Sequence, residues 1–158
     1  KDVFGYGVEI NDQNLLNCFY NGINVIQNDL ESGLSSFESG SFDYVILSQT
    51  LQAMRHTEDI IKEMLRVGKQ GIVSFPNFGY WRNRLQVILG QMPMSKALPY
   101  HWYDTPNIHL CTLNDFEDLC HRCDARILER RVTSNYRPVH FLPNLMGVLA
   151  FYRFERAQ

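Results

Sequence analysis

Three short stretches near the start of the chain end on polar residues of the kind that hold a nucleoside. Glu9, followed by Ile10, closes a β-rich run; Asp29, followed by Leu30, closes a second; Ser48 and Gln49 follow the apolar run Tyr44 to Leu47. A carboxylate at a strand end can accept hydrogen bonds from both hydroxyls of a ribose, which is the chemistry Glu9 offers. Its plainer use is as a solvated charge or a partner for the dipole of the next helix. Asp29 can accept from an adenine amino group, or simply form a turn. Ser48 and Gln49 offer backbone and side-chain groups to the amino-acid end of a nucleoside cofactor, although polar residues also merely terminate strands.

A second group is aromatic. Phe75 to Trp81 makes an aromatic turn in which Asn77, Tyr80 and Trp81 could line a substrate pocket or pack as core. Residues 91–111 follow, with Pro93, Pro99 and Pro106, the aromatic side chains of Tyr100, Trp102 and Tyr103, and His109, but no periodicity. Connections of that length without secondary structure are usually functional, and the stretch reads as a lid or partner-binding insertion. Met92 and Met94 suit an adaptable surface, though gap filling is the commoner role of methionine. His109, Cys111, Cys120, His121 and Cys123 have metal-like spacings, yet Cys120 and Cys123 continue the apolar stripe of a helix, so no metal is assigned. There is no Ser-His-Asp elbow and no phosphate loop.

The elements that must position these groups alternate. Val3 to Ile10 reads as a strand and Asn11 to Tyr20 as a helix stopped by Gly22; Ile23 to Leu30 and Tyr44 to Leu47 are strands. Thr57 is placed to cap a helix whose stripe is Ile60, Ile61, Met64 and Leu65, with Gly68 ending it. Ile72 to Phe75 is a buried strand, Gly79 to Leu89 a helix with Trp81, Leu85, Ile88 and Leu89 on one face, and Thr112 with Asp115 a capping box opening another helix. Ala125 to Thr133 and Gly147 to Phe154 suit an antiparallel pair at one edge. The repeated β-α-β order predicts an α/β fold with a mostly parallel sheet, in which ligands sit outside the carboxyl ends of the strands.

Bulk properties bound the reading. The 158 residues, 45% of them hydrophobic, suffice for one domain with its own core. Fifteen basic residues against 17 acidic ones leave a formal charge of −2, which argues against a nucleic-acid or acidic-membrane partner. No apolar run reaches membrane-spanning length, and Lys1 and Asp2 do not open a signal peptide, so a cytoplasmic protein with free thiols at its four cysteines is expected.

The segments YGVEI, FDYVILSQTLQ, RVGKQGIVSFPNFGYWR, MPMSKALPYHWYDTPNIHLCT and DFEDLC, in that order, resemble MetW proteins over roughly Gly5 to Cys120. Those proteins are similar to class I S-adenosylmethionine-dependent methyltransferases, a Rossmann-like three-layer sandwich with strand order 3-2-1-4-5-7-6 and the last strand antiparallel. The resemblance implies that residues 1–158 are a single methyltransferase-like domain beginning at strand two. It carries the ribose role onto Glu9, the adenine role onto Asp29, and the motif after strand four onto Ser48 and Gln49. Strand one and its glycine-rich turn are missing from the sequence; because a central strand pairs on both sides, a further N-terminal segment is expected.

The resemblance also implies S-adenosylmethionine or S-adenosylhomocysteine as cofactor and homoserine O-acetyltransferase as partner. Two functions follow: an accessory subunit of that acyltransferase using the Met92 to Thr112 surface, or a methyltransferase acting on an unidentified small molecule. Ser48, Gln49, Thr50 and Leu51 stand where many amine-methylating enzymes have Asn-Pro-Pro-aromatic, which disfavours methylation of a nucleic-acid or glutamine nitrogen. A third reading is an interaction surface or homodimer without cofactor.

Overall fold

A computed structural model describes residues 4–157. Strand β1 (Gly7–Glu9) leads into helix α1 (Asp12–Tyr20), which starts where the Asn11 side chain accepts from the backbone N–H groups of Gln13 and Asn14. That cap satisfies donors that the first helical turn cannot pair. Strand β2 (Val25–Gln27) returns parallel to β1, with Glu9 opposite Gln27. The expected start of the first strand at Val3 lies outside the described residues.

Strand β3 (Phe42–Ser48) pairs in parallel with β4 (Gly68–Pro76), and the crossover between them is helix α2 (Thr57–Val67). The stripe read from the sequence is the buried face of α2: Ile60, Ile61, Met64 and Leu65 all lie in the core. Thr57 does not cap it. The helix begins one residue earlier than that reading requires, with His56 at the cap position and no side-chain cap bond; Thr57 is the first helical residue, and Glu58 and Asp59 supply negative charge to the first turn.

Helix α3 (Trp81–Ile88) follows β4, then residues 91–111 run without helix or strand to α4 (Leu113–Arg122). The capping box is present: Asp115 N–H donates to the Thr112 hydroxyl while the Asp115 carboxylate accepts from Thr112 N–H. Strand β5 (Ala125–Ser134), the short β6 (Arg137–Pro138), a single helical turn α5 (Pro143–Met146) and β7 (Leu149–Arg156) complete the order.

The five-stranded sheet has order β3-β4-β7-β5-β6, with β7 antiparallel to both its neighbours, so the expected antiparallel pair is present. Pairs β2-β1 and β3-β4-β7-β5 reproduce the order 3-2 and 4-5-7-6; among the described residues no strand joins β1 to β3. The two sheets are nevertheless tied together. The Glu63 carboxylate of α2 accepts from Leu34 N–H at 3.0 Å, Arg66 donates to the Leu34 and Phe37 carbonyls, and Tyr6 packs edge-on to Phe42 with centroids 6.3 Å apart.

Between sheet and helices lies an aromatic core. Phe75 stacks on Tyr152 at 5.8 Å, and Phe116 from α4 meets both, at 5.0 and 4.7 Å. The Tyr152 hydroxyl, inside this cluster, donates to Glu117, which also accepts from Arg130. A polar end of an aromatic side chain is tolerated there because it has a partner. Cys120 in α4 and Cys123, the residue that closes the helix, are both buried, as the apolar periodicity required.

Candidate functional site

The carboxyl ends of β1, β2 and β3 lie at one end of the molecule. Asn28 N–H donates to the Glu9 carbonyl, placing the turn after β2 beside the end of β1. Arg55 N–H, after β3, donates at 2.6 Å to Glu31, in the 3-10 turn Leu30–Ser32 that follows β2. That bond links the end of the two-stranded sheet to the end of the larger one.

Glu9 is held in place by its own turn. One carboxylate oxygen accepts from Ile10 N–H at 2.9 Å and Asn11 N–H at 2.8 Å; the other accepts from the Asn14 amide at 3.2 Å. The Asn11 N–H, with help from Asn14 and Ile10 and against some desolvation, holds this carboxyl below the usual carboxylate range. It is an ionised acceptor with part of its capacity still open, since a carboxylate offers about four acceptor positions. Asp29 caps the 3-10 turn by accepting from Glu31 N–H at 2.9 Å. Ile10 is exposed and Leu30 is half-buried beside the core.

After β3 the Ser48 hydroxyl lies 3.2 Å from the hydroxyl of Ser74 on β4, and Gln49 N–H donates to the Ser74 carbonyl at 2.9 Å. Gln49 sits at φ 50°, a left-handed conformation that a side chain with a Cβ adopts at a cost of about 1–2 kcal/mol. Ser74 and Glu31 were absent from the sequence-derived candidates. Ser74 carried a signal, being a polar residue inside the apolar run Ile72 to Phe75; Glu31 carried none, because its importance comes from Arg55, far away in sequence. Two buried oxygens at this end, Glu31 Oε2 and Gln52 Oε1, have no hydrogen-bond partner among the described residues.

The aromatic group divides. Asn77 is buried, and its amide is spent on the fold: Nδ2 donates to the carbonyls of Asn144 and Gly147, and Oδ1 accepts from Gly79 N–H. It shapes the turn and lines no surface. Tyr80 is half-buried, its ring 5.9 Å from that of Trp81, and the Arg82 guanidinium lies 5.3 Å from the Trp81 ring centre. Tyr100, Trp102 and Tyr103 are exposed. Tyr100 and Trp102 line a small open cleft together with Phe78, Met92, Leu98 and Leu110.

His109 instead lines a second small cleft with Gln52, Thr57, Cys111 and Asp115. The segment is pinned at this point, because Ile108 and His109 N–H both donate to the Gln52 carbonyl and Phe78 N–H donates to the Cys111 carbonyl. Burial, with the Asp115 charge adding to it, pushes the Cys111 thiol up to about 12, so this sulfur is no nucleophile. Among the described residues no group of three or more His, Cys, Asp or Glu side chains is placed to hold a metal ion, and no helix is long and apolar enough to cross a membrane.

The fold that carries these strand ends is the class I methyltransferase fold. A Thermotoga maritima S-adenosylmethionine-dependent methyltransferase superposes with a TM-score of 0.68 at 16% identity, covering 96% of this chain and 72% of that one. A Methanosarcina mazei enzyme of the same description gives 0.66 at 20% identity, over 96% and 81%. Residues 1–154 match the model of the family described as methionine biosynthesis protein MetW, and the chain belongs to that family. It is 43% identical over 115 residues to the bifunctional methionine biosynthesis protein MetXA/MetW of Rhodopirellula baltica, a match covering 72% of this chain and 18% of that longer protein.

Proposed function

We propose that this chain is an accessory of homoserine O-acetyltransferase in methionine biosynthesis, and that it binds S-adenosylmethionine or S-adenosylhomocysteine at the ends of β1, β2 and β3. The observation that carries the accessory role is the Rhodopirellula baltica relative, in which MetXA and MetW are parts of one polypeptide. Covalent joining gives two partners a high effective concentration, which is useful when they act together.

Support for the cofactor comes from chemistry at the strand ends. Glu9 would take the ribose hydroxyls and Asp29 the adenine amino group; Ser48 and Gln49 would face the amino-acid end. The unpartnered oxygens of Glu31 and Gln52 are acceptors that a ligand's donors could satisfy. Residues 91–111 would act as lid or partner surface.

The second reading is methyl transfer to a small molecule, favoured by the methyltransferase fold itself. Such a cofactor would supply an electrophilic methyl group; the chain would need only to bind, orient and exclude water, since proximity alone is a large part of such catalysis.

The test is calorimetric titration of both nucleosides, with Glu9→Ala and the better-conserving Glu9→Gln as controls, alongside acyltransferase rates with and without this protein. Saturable binding weakened in both variants and a changed acyltransferase rate are expected. No binding would remove the cofactor, and an unchanged rate the accessory role. Methylated product from a metabolite mixture would favour the second reading.

A further inference from the structure

Helix α3 presents its apolar stripe to solvent. Trp81, Leu85, Ile88 and Leu89 recur at helical spacing, the pattern by which a surface helix meets a core. Yet they are 38, 45, 79 and 67% exposed, and the one buried residue of the helix is the polar Asn83. Met92 and Met94 extend the stripe, at 53 and 41%. Together these six side chains expose on the order of 600 Å² of largely apolar surface, the upper end of what a monomer shows and much of the ~800 Å² that each partner contributes to a standard interface.

The face is built rather than loose. Asn83 Nδ2 donates to the carbonyls of Asn77 and Phe78, and Arg84 Nε to that of Gly79, anchoring the first turn. Met94 N–H donates to Gln86 Oε1 at 3.0 Å, and the Gln86 amide returns a bond to the Met94 carbonyl, holding the methionine segment against the helix. A preformed surface of this kind loses little ordering entropy on binding. At its edge, Met92 also borders the cleft containing Phe78 and Leu98, which could receive one apolar anchor.

Charge selects among occupants. From Gly79 to Tyr103 there are Arg82, Arg84 and Lys96 and no Asp or Glu, in a chain whose net charge is −2. A two-fold contact between copies would set this patch against itself, cation facing cation. A partner with carboxylates around an apolar centre fits better, and the fused relative supplies a partner.

We infer that the face formed by α3 and Met92 to Met94 is the docking surface for homoserine O-acetyltransferase, received by an apolar patch of that enzyme rimmed by acidic residues. The inference rests on the accessory role proposed above and adds where the contact is made.

The experiment measures binding of purified acyltransferase from the same cells by calorimetry and light scattering, using wild type, the double variant Ile88→Glu/Leu89→Glu, and Arg82→Glu. Both apolar positions are exposed, so folding should survive; an unchanged thermal midpoint checks this. A loss of at least about 100-fold in the double variant is expected, with about tenfold weaker and less salt-sensitive binding for Arg82→Glu. If wild type binds and the double variant binds equally well, this docking face is wrong while the accessory role stands. No binding by wild type would overturn both. Wild-type self-association abolished by the double variant, with acyltransferase binding intact, would assign the face to a second copy and overturn the inference.

Discussion

Gly71 on β4 lies under the ring of Phe154 on β7, its partner in the sheet. A Cβ at position 71 would fall 2.5 Å from Phe154 Cζ and 2.7 Å from Cε2. Carbon atoms rest at about 3.5–4.0 Å, so the overlap approaches ~1 Å. Phe154 is fully buried and packs edge-on to Phe116 at 6.1 Å, which leaves its ring little room to withdraw. Overpacking of this sort costs about 1–3 kcal/mol, offset by the roughly 0.5–1 kcal/mol by which alanine exceeds glycine in a strand. Gly71→Ala should therefore destabilise by about 1–2 kcal/mol. With a urea slope of about 2 kcal/mol per molar, the unfolding midpoint should fall by roughly 0.5–1 M. Combining it with Phe154→Leu should break additivity, because the smaller side chain vacates the space the methyl needs. An unchanged or raised midpoint for Gly71→Ala, or strict additivity in the double variant, would refute the packing argument.

Two further outcomes follow from protonation. The Arg66 side chain, with the Leu34 N–H, holds the Glu63 carboxyl below its ordinary value of 4.5 despite some desolvation. A depressed carboxyl contributes stability above its unfolded pKa and loses it as pH falls through the folded one. The stability gap between wild type and Glu63→Gln should be full above about pH 5.5 and close progressively below 4.5, as read from urea midpoints; a gap independent of pH would count against the ion pair. Burial first, with nearby negative charge second, pushes the Cys111 and Cys120 thiols up to about 12. Both should resist alkylation by iodoacetamide at pH 8 in the native protein and react on unfolding, with peptide mapping as the readout; rapid native labelling of either would contradict its burial.

Local and periodic features were legible in the sequence. The stripe of α2, the capping box at Thr112 and Asp115, and the buried cysteines of α4 each depend on residues within a few turns of one another, where spacing dictates which side meets the core. Strand ends could be named for the same reason at Glu9 and Ser48, the last residues of β1 and β3; the strand expected over Ile23 to Leu30 instead stops at Gln27, and Asp29 caps the turn beyond it. Tertiary structure decided what depends on distant partners. Asn77 became an internal brace because Asn144 and Gly147 come back to meet it, and Glu31 gained its place through Arg55. Gln49 took a left-handed conformation that no residue type foretold. The stripe of α3 shows the division most clearly: its periodicity was written in residues 81–89, but periodicity states only that one face is apolar. Whether that face meets a core or solvent depends on which elements the rest of the chain brings against it, and among the described residues none covers Ile88 or Leu89.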